Sequence, residues 1–175
     1  PNDVQCVYIR QKEALGLGHA IYCAKDVIGN EAFGVILADD LIMKDSTTAP
    51  AYGLGQLMQK HHQTGSSVIA AEEVLETQVD QYGILKMNEY QQLIEIIEKP
   101  TIDKAPSNLA VIGRYIFTPQ IFDCINVNER GIAGEIQITD AIERLMTIQR
   151  VYGETLKHKR FDCGSLHGYV EATNY

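Results

Sequence analysis

The sequence predicts an α/β fold: a mixed, mostly parallel sheet with helices on both faces. Three observations carry that prediction. Short runs rich in Val, Ile, Tyr and Phe alternate with segments whose apolar residues recur at i, i+3, i+4 and i+7, the periods of strand and helix. Two strand-like runs, FGVILA at 33–38 and SVIAA at 67–71, are almost wholly apolar, as strands covered on both faces are. The composition, 175 residues with 45% hydrophobic and 22% charged, suits one soluble domain with its own core.

The elements follow in order. Residues 5–11 (QCVYIRQ) read as a short strand on the β-formers Val7, Tyr8 and Ile9. After Gly16-Leu17-Gly18-His19, the residues Ala20, Ile21, Cys23, Ala24, Val27 and Ile28 form one helical stripe, closed by Gly29-Asn30. FGVILA is the next strand and stops at Asp39-Asp40. Leu54, Leu57, Met58, His61 and His62 mark a second helix, and SVIAA a buried strand. Residues 82–85 and 93–99 read as a strand, a polar turn and a returning strand ended by Pro100. LAVIGRYIF at 109–117 is the most β-like run. Thr118-Pro119 sets a helix start. Ile138, Ala141, Ile142, Leu145 and Ile148 mark a longer helix, and a last strand leads into Phe161-Asp162-Cys163-Gly164.

Charge and composition exclude several classes. With 15 Lys+Arg against 23 Asp+Glu and a net charge of −8, the chain lacks the basic face of a general nucleic-acid binder. An anionic ligand must therefore meet local positive charge, a placed Lys or a metal ion. No apolar run approaches the ~18 residues of a membrane span. Residues 1–6, opening on Pro1, carry no leader pattern, and the expected setting is cytoplasmic. The widely spaced Cys6, Cys23, Cys124 and Cys163 form no C-x-x-C pair and fit reduced thiols.

Ligands of such sheets sit at the carboxyl ends of strands, which directs attention to four places. Gly16-Leu17-Gly18-His19 fits a plain turn before a helix, and also a backbone approach to a base or an anion; Ile21 spoils a dinucleotide fingerprint. Asp39-Asp40 at a strand end suits hard-cation binding, since Mg²⁺ takes one or two carboxylates plus phosphate oxygens; a cap or solvated loop fits equally. Glu98-Lys99 closes an apolar strand with neighbours directed to opposite faces. The carboxylate suits sugar hydroxyls and the ammonium a phosphate, unless the strand merely surfaces there. Asp162, before Gly164, is a second strand-end carboxylate. His61-His62 reads as a helix face rather than a metal pair, and Cys163 as an inert buried thiol.

Taken in order, these segments resemble the bacterial UTP–glucose-1-phosphate uridylyltransferases of the sugar-nucleotidyltransferase superfamily. The carrying residues are Arg10-Gln11, Gly16 to Ala20, Val35 to Asp40, Tyr82-Gly83, Ile97 to Pro100, Ser107 to Ala110, Gly113-Arg114-Tyr115, Gly134 to Ile142 and Asp162-Cys163-Gly164. The resemblance implies a Rossmann-like fold of the nucleotide-diphospho-sugar transferase type, present here incompletely. It implies that Gln11 and Gly16 read the uracil edge, that Gly83 and Glu98 hold glucose, and that Lys99 holds the sugar phosphate. Asp39 and Asp162 would hold Mg²⁺, with Lys99 and Asp39 serving catalysis. The implied ligands are UTP, glucose 1-phosphate and UDP-glucose, with no nucleic acid or membrane partner, and the full-length protein would be a homo-oligomer. Ala14, Ala38 and Ser165-Leu166-His167-Gly168 depart from the family's usual residues. The G-x-G-T-R-x-x-P loop of the family has no counterpart before Arg10, so residues 1–175 are expected to be the central and C-terminal part of one domain. A non-catalytic sugar-nucleotide-binding or assembly domain is the alternative.

Overall fold

The computed structural model describes residues 4–43, 52–156 and 158–175; Pro1, singled out above as the opening residue, lies outside them. Its centre is β6 (Leu109–Phe117), nine residues of which all but Leu109 and Arg114 are buried. β3 (Ser67–Glu73) lies antiparallel along one side of it. On the other side β1 (Phe33–Ile36) pairs with residues 114–117 of β6, and β4 (Gly83–Met87) with residues 109–110. The main sheet runs β5-β4-β6-β3-β7, with β5 (Leu93–Glu98) and β7 (Val151–Thr155) at its ends.

Strand alternation explains why helices are needed on both faces. Val68 and Ala70 of β3, with Ile112 and Ile116 of β6, meet Leu57 of α3 (Leu54–Thr64). Ile69, Ala71, Val111 and Tyr115 meet Ile138, Ile142 and Leu145 of α5 (Ile138–Ile148) on the opposite face. Leu57, Ile142 and Leu145 are fully buried, each worth ~1.5–3 kcal/mol relative to exposure. The other α-helices among the described residues are α1 (Leu17–Tyr22), α2 (Lys25–Ile28), α4 (Ile121–Cys124) and α6 (Leu166–Asn174). A separate ribbon pairs β2 (Asp40–Met43) with β8 (Lys159–Asp162) antiparallel, with Asp40 opposite Asp162.

The mixed α/β architecture is as expected, but its balance is not. Among the described strands only β3 and β7 pair in parallel, so the sheet is mostly antiparallel. A parallel neighbour requires a crossover of about a dozen residues or more. Here β1 turns directly into β2, and β4 into β5 through a hairpin, so the strand–helix alternation does not extend to them. Four local expectations also change. Residues 5–11 are coil, exposed except for the half-buried Gln11, with Tyr8 at 94% exposure and no strand partner among the described residues. The expected single helix breaks at Cys23-Ala24 into α1 and α2. FGVILA is not covered on both faces: β1 alternates half-buried and exposed residues, and Ile36 is exposed. Thr118 does not cap a helix with its side chain; its hydroxyl accepts from Gln149 at 2.7 Å and lies 3.2 Å from the Ser67 hydroxyl.

Candidate functional site

The strand ends place Asp39, Gly83, Glu98 and Lys99 around one cleft, while Asp162 lines a different one with Tyr82 and Arg160. The β4–β5 hairpin sets Gly83 opposite Glu98, and the Lys99 N–H donates to Tyr82 O at 2.9 Å. Asp39 sits in the turn at 37–40 between β1 and β2, and its carbonyl accepts from the Cys163 N–H at 2.7 Å. Together with the start of α5, these segments line an open cleft of about 400 Å³. Asp39, Gly83, Glu98 and Lys99 all face it, with Tyr82, Glu135, Gln137 and Thr139 completing much of the wall.

Close approach explains the glycine at 83. A Cβ there would stand 2.8 Å from Thr139 Cγ2 and 3.0 Å from Glu98 Oε2, so any side chain would push the hairpin away from α5. Thr139 Oγ1 donates to Glu98 Oε2 at 3.0 Å. Burial nevertheless pushes the Glu98 carboxyl above its ordinary range; the Thr139 hydrogen bond and the Lys99 charge pull it back less strongly, because desolvation disfavours the charged form. Lys99 is exposed and sits at φ 44°, a left-handed backbone that side chains rarely adopt. Strain of this kind is concentrated at functional positions.

The adjacent carboxylates Asp39 and Asp40 have separate environments. Asp40 is 7% exposed; it accepts from the Gly113 N–H and, at 2.6 Å, from Arg160 Nε. Arg160 also reaches Glu72 at 3.2 Å and Asp162 at 3.7 Å. Burial works against its charge, yet Asp40 and Glu72 hold its pKa above the ordinary guanidinium value. Asp40 is thus committed inside the protein, and Asp39 faces the cleft. A Cβ on Gly164 would lie 3.2 Å from Asp39 Oδ2 and 3.1 Å from Asp162 Oδ1. Asp162 Oδ1 accepts from the Gly164 N–H at 3.1 Å, so a carboxylate oxygen from each of two segments borders the space that this glycine leaves. Such a donor pair fits a small hard cation that completes its shell with phosphate oxygens and water. Among the described residues no group of three or more His, Cys, Asp or Glu gathers around one point.

Gln11 and Gly16 meet each other, but neither lines the cleft; their neighbour Leu17 does. Gln11 Nε2 donates to Gly16 O at 3.2 Å and lies 3.0 Å from His19 Nδ1. His61 Nδ1 is 2.8 Å from Ser66 O, closing the end of α3. Cys163 is half-buried rather than buried. Sequence reasoning about chemistry missed Arg160, Thr139 and Tyr82. Thr139 carried a faint signal, lying within the family-like stretch 134–142, whereas Arg160 acquires its three carboxylate partners only through folding.

The chain matches the nucleotidyl transferase family over residues 2–175. It is 44% identical over 170 residues to the UTP–glucose-1-phosphate uridylyltransferase of Staphylococcus epidermidis, covering 95% of this chain and 57% of that protein. It is 43% identical over 170 residues to the Bacillus subtilis protein of the same name, covering 95% and 56%. A crystal structure of UDP-glucose pyrophosphorylase complexed with UDP-glucose is similar at a TM-score of 0.88 and 43% identity, over 96% of this chain and 64% of that one. A UTP-bound enzyme from Acinetobacter baumannii is similar at a TM-score of 0.80 and 37% identity, over 95% and 57%. The chain thus spans a little over half the length of the curated relatives it matches.

Proposed function

Because the chain belongs to the nucleotidyl transferase family, we propose that it carries the sugar-phosphate and cation side of a UTP–glucose-1-phosphate uridylyltransferase. The observation that carries this reading is the convergence of Asp39, Gly83, Glu98 and Lys99 on one cleft. In the proposed reaction an oxygen of glucose 1-phosphate attacks the α-phosphorus of UTP. A new O–P bond forms, the bond to the β-phosphate bridging oxygen breaks, and pyrophosphate leaves UDP-glucose behind. The names of the relatives and the ligand complexes of two similar structures support it.

Each residue then has a task that its chemistry allows. Glu98, as a carboxylate, accepts from glucose hydroxyls, and Gly83 lets the sugar approach the backbone. Lys99 holds the sugar phosphate by a charge-assisted hydrogen bond. Gln11, its NH₂ engaged by Gly16 and His19, keeps Oε1 for the N3–H donor of uracil. Asp39 and Asp162 would hold Mg²⁺, which supplies positive charge to the transferring phosphoryl group when bound. The largest demand, stabilising charge at a congested phosphorus, is met by groups fixed in place before reaction.

The same proposal places the protein in the cytoplasm, in agreement with four unpaired thiols, and makes the full-length protein a homo-oligomer. Calorimetric titration of this chain with UDP-glucose and dTDP-glucose tests the ligand reading; the uridine compound binds more tightly. Lys99→Ala weakens glucose 1-phosphate binding about tenfold or more, the worth of one charged hydrogen bond, and leaves glucose binding unchanged. Equal affinity for the two nucleotide sugars, or an unaltered Lys99→Ala variant, would overturn it.

A further inference from the structure

We propose that Arg114 is a positioning residue for the cation site: its guanidinium ties together the two ends of the turn that presents Asp39. The inference rests on the reading of Asp39 and Asp162 as cation ligands. Arg114 lies on β6 opposite Ile36 of β1, which brings it beside residues 37–40 as they leave the sheet. Nη1 donates to Leu37 O at 3.2 Å and to Gly113 O at 2.8 Å, and Nη2 donates to Asp40 O at 2.6 Å. Leu37 and Asp40 are the first and last residues of the turn, and Asp39 lies between them. All three donations go to main-chain carbonyls, so the directional bonds of this cation are spent on the shape of a loop.

Geometry makes the role specific to arginine. A guanidinium holds its N–H donors in one rigid plane, so two carbonyls three residues apart are fixed relative to each other. A lysine ammonium is a compact point charge and cannot span them in the same way. The turn is also anchored below, where Asp40 accepts from the Gly113 N–H and from Arg160, and behind, where the Leu37 N–H donates to Gly113 O at 3.0 Å. Held at both ends, Asp39 has little freedom except at its own side chain. Outer-shell groups that orient a ligand act on metal affinity without touching the metal.

Charge alone predicts the opposite of the clamp. A positive group near a cation site repels the cation, so an electrostatic role would make Arg114→Gln bind a divalent ion more tightly. The clamp predicts weaker binding in both Arg114→Gln and the charge-retaining Arg114→Lys. The test is a titration of the whole chain with Mn²⁺ in the presence of UDP-glucose, following free Mn²⁺ by its EPR signal. Wild type, Arg114→Lys, Arg114→Gln and Asp39→Asn are compared, with a thermal melt of each. The expected result is a loss of Mn²⁺ affinity of about tenfold in both Arg114 variants, with UDP-glucose affinity in EDTA unchanged. Arg114→Lys retains the charge and Arg114→Gln a pair of N–H donors, so the comparison stands on whichever melts cooperatively. An Arg114 variant binding Mn²⁺ as tightly as wild type overturns the clamp and leaves the cation site standing. Asp39→Asn binding as tightly as wild type, or a wild type that does not bind, overturns the cation site and the clamp with it.

Discussion

Replacing Thr139 with Val isolates the bond that holds Glu98. Thr139 is 4% exposed, and its hydroxyl donates to Glu98 Oε2 at 3.0 Å. Valine keeps a methyl where Thr139 Cγ2 lies beside Gly83, so the wall of the cleft retains its shape and one hydrogen bond is lost. A hydrogen bond to a charged group is worth ~1.5–3 kcal/mol, and 1.4 kcal/mol is about a factor of ten in affinity. Part of that loss falls on the free protein, because Glu98 is no longer held there either. The expected effect on glucose 1-phosphate binding is therefore the lower end, about tenfold. The pH dependence has a definite sign. Burial raises the Glu98 pKa, and Thr139 is the largest influence opposing the rise, so the variant raises it further. With a folded pKa above the unfolded one, the folded protein binds the extra proton between the two values. Stability is then fully present below the unfolded pKa and is lost as pH rises through the folded one. The carboxylate that accepts sugar hydroxyls also forms only at higher pH. Calorimetry of glucose 1-phosphate binding across the acid range should show the acid limb displaced to higher pH in Thr139→Val. The same affinity and the same acid limb in both proteins would refute control of Glu98 by this hydroxyl.

Two further expectations concern strain and buried charge. Lys99 sits at φ 44°, so Lys99→Gly should be more stable than Lys99→Ala by about 1 kcal/mol, while both lose phosphate affinity; a thermal melt in which glycine is the less stable would contradict backbone strain there. Arg160→Met leaves Asp40 without its charge partner and Glu72 without its own, and urea unfolding should show a loss of about 3–5 kcal/mol. A loss below about 1 kcal/mol, the ordinary worth of a surface pair, would mean that the cluster is effectively solvated.

Much of the fold was legible because its signals are local. α3, α5, β3 and β6 lie where the periods of 3.6 and 2 put them, since each segment must present one apolar face or two. Residues 5–11 have the same β-forming character, yet a strand exists only where a neighbour satisfies its N–H and C=O groups. The run FGVILA likewise reports apolarity and not cover, and β1 proves half exposed. Strand direction was misread for a related reason. Whether two strands run parallel depends on the connection between them, and several connections here are turns.

The candidate site divides in the same way. Asp39, Glu98, Lys99 and Asp162 could be picked out because each is a charge standing where a strand ends. Gly83 and Gln11 entered only through resemblance to known sequences, whereas Gly16 was also marked by its place in a glycine-rich turn before a helix. Nothing local marks Arg114 or Arg160, since an arginine in a strand is as often a solvated side chain.

Residue patterns alone therefore supply an inventory: the long periodic elements α3, α5, β3 and β6, and the charged groups at strand ends, but not whether a β-forming run such as 5–11 finds a partner. The tertiary structure decided the assignments within that inventory. It buried Asp40 against Arg160, left Asp39 on the cleft, and set Thr139 on Glu98. The physical reason is separation along the chain. Thr139 meets Glu98 across 41 positions and Arg160 meets Asp40 across 120. The energy of a buried charge depends on such partners, which no periodicity in the sequence records.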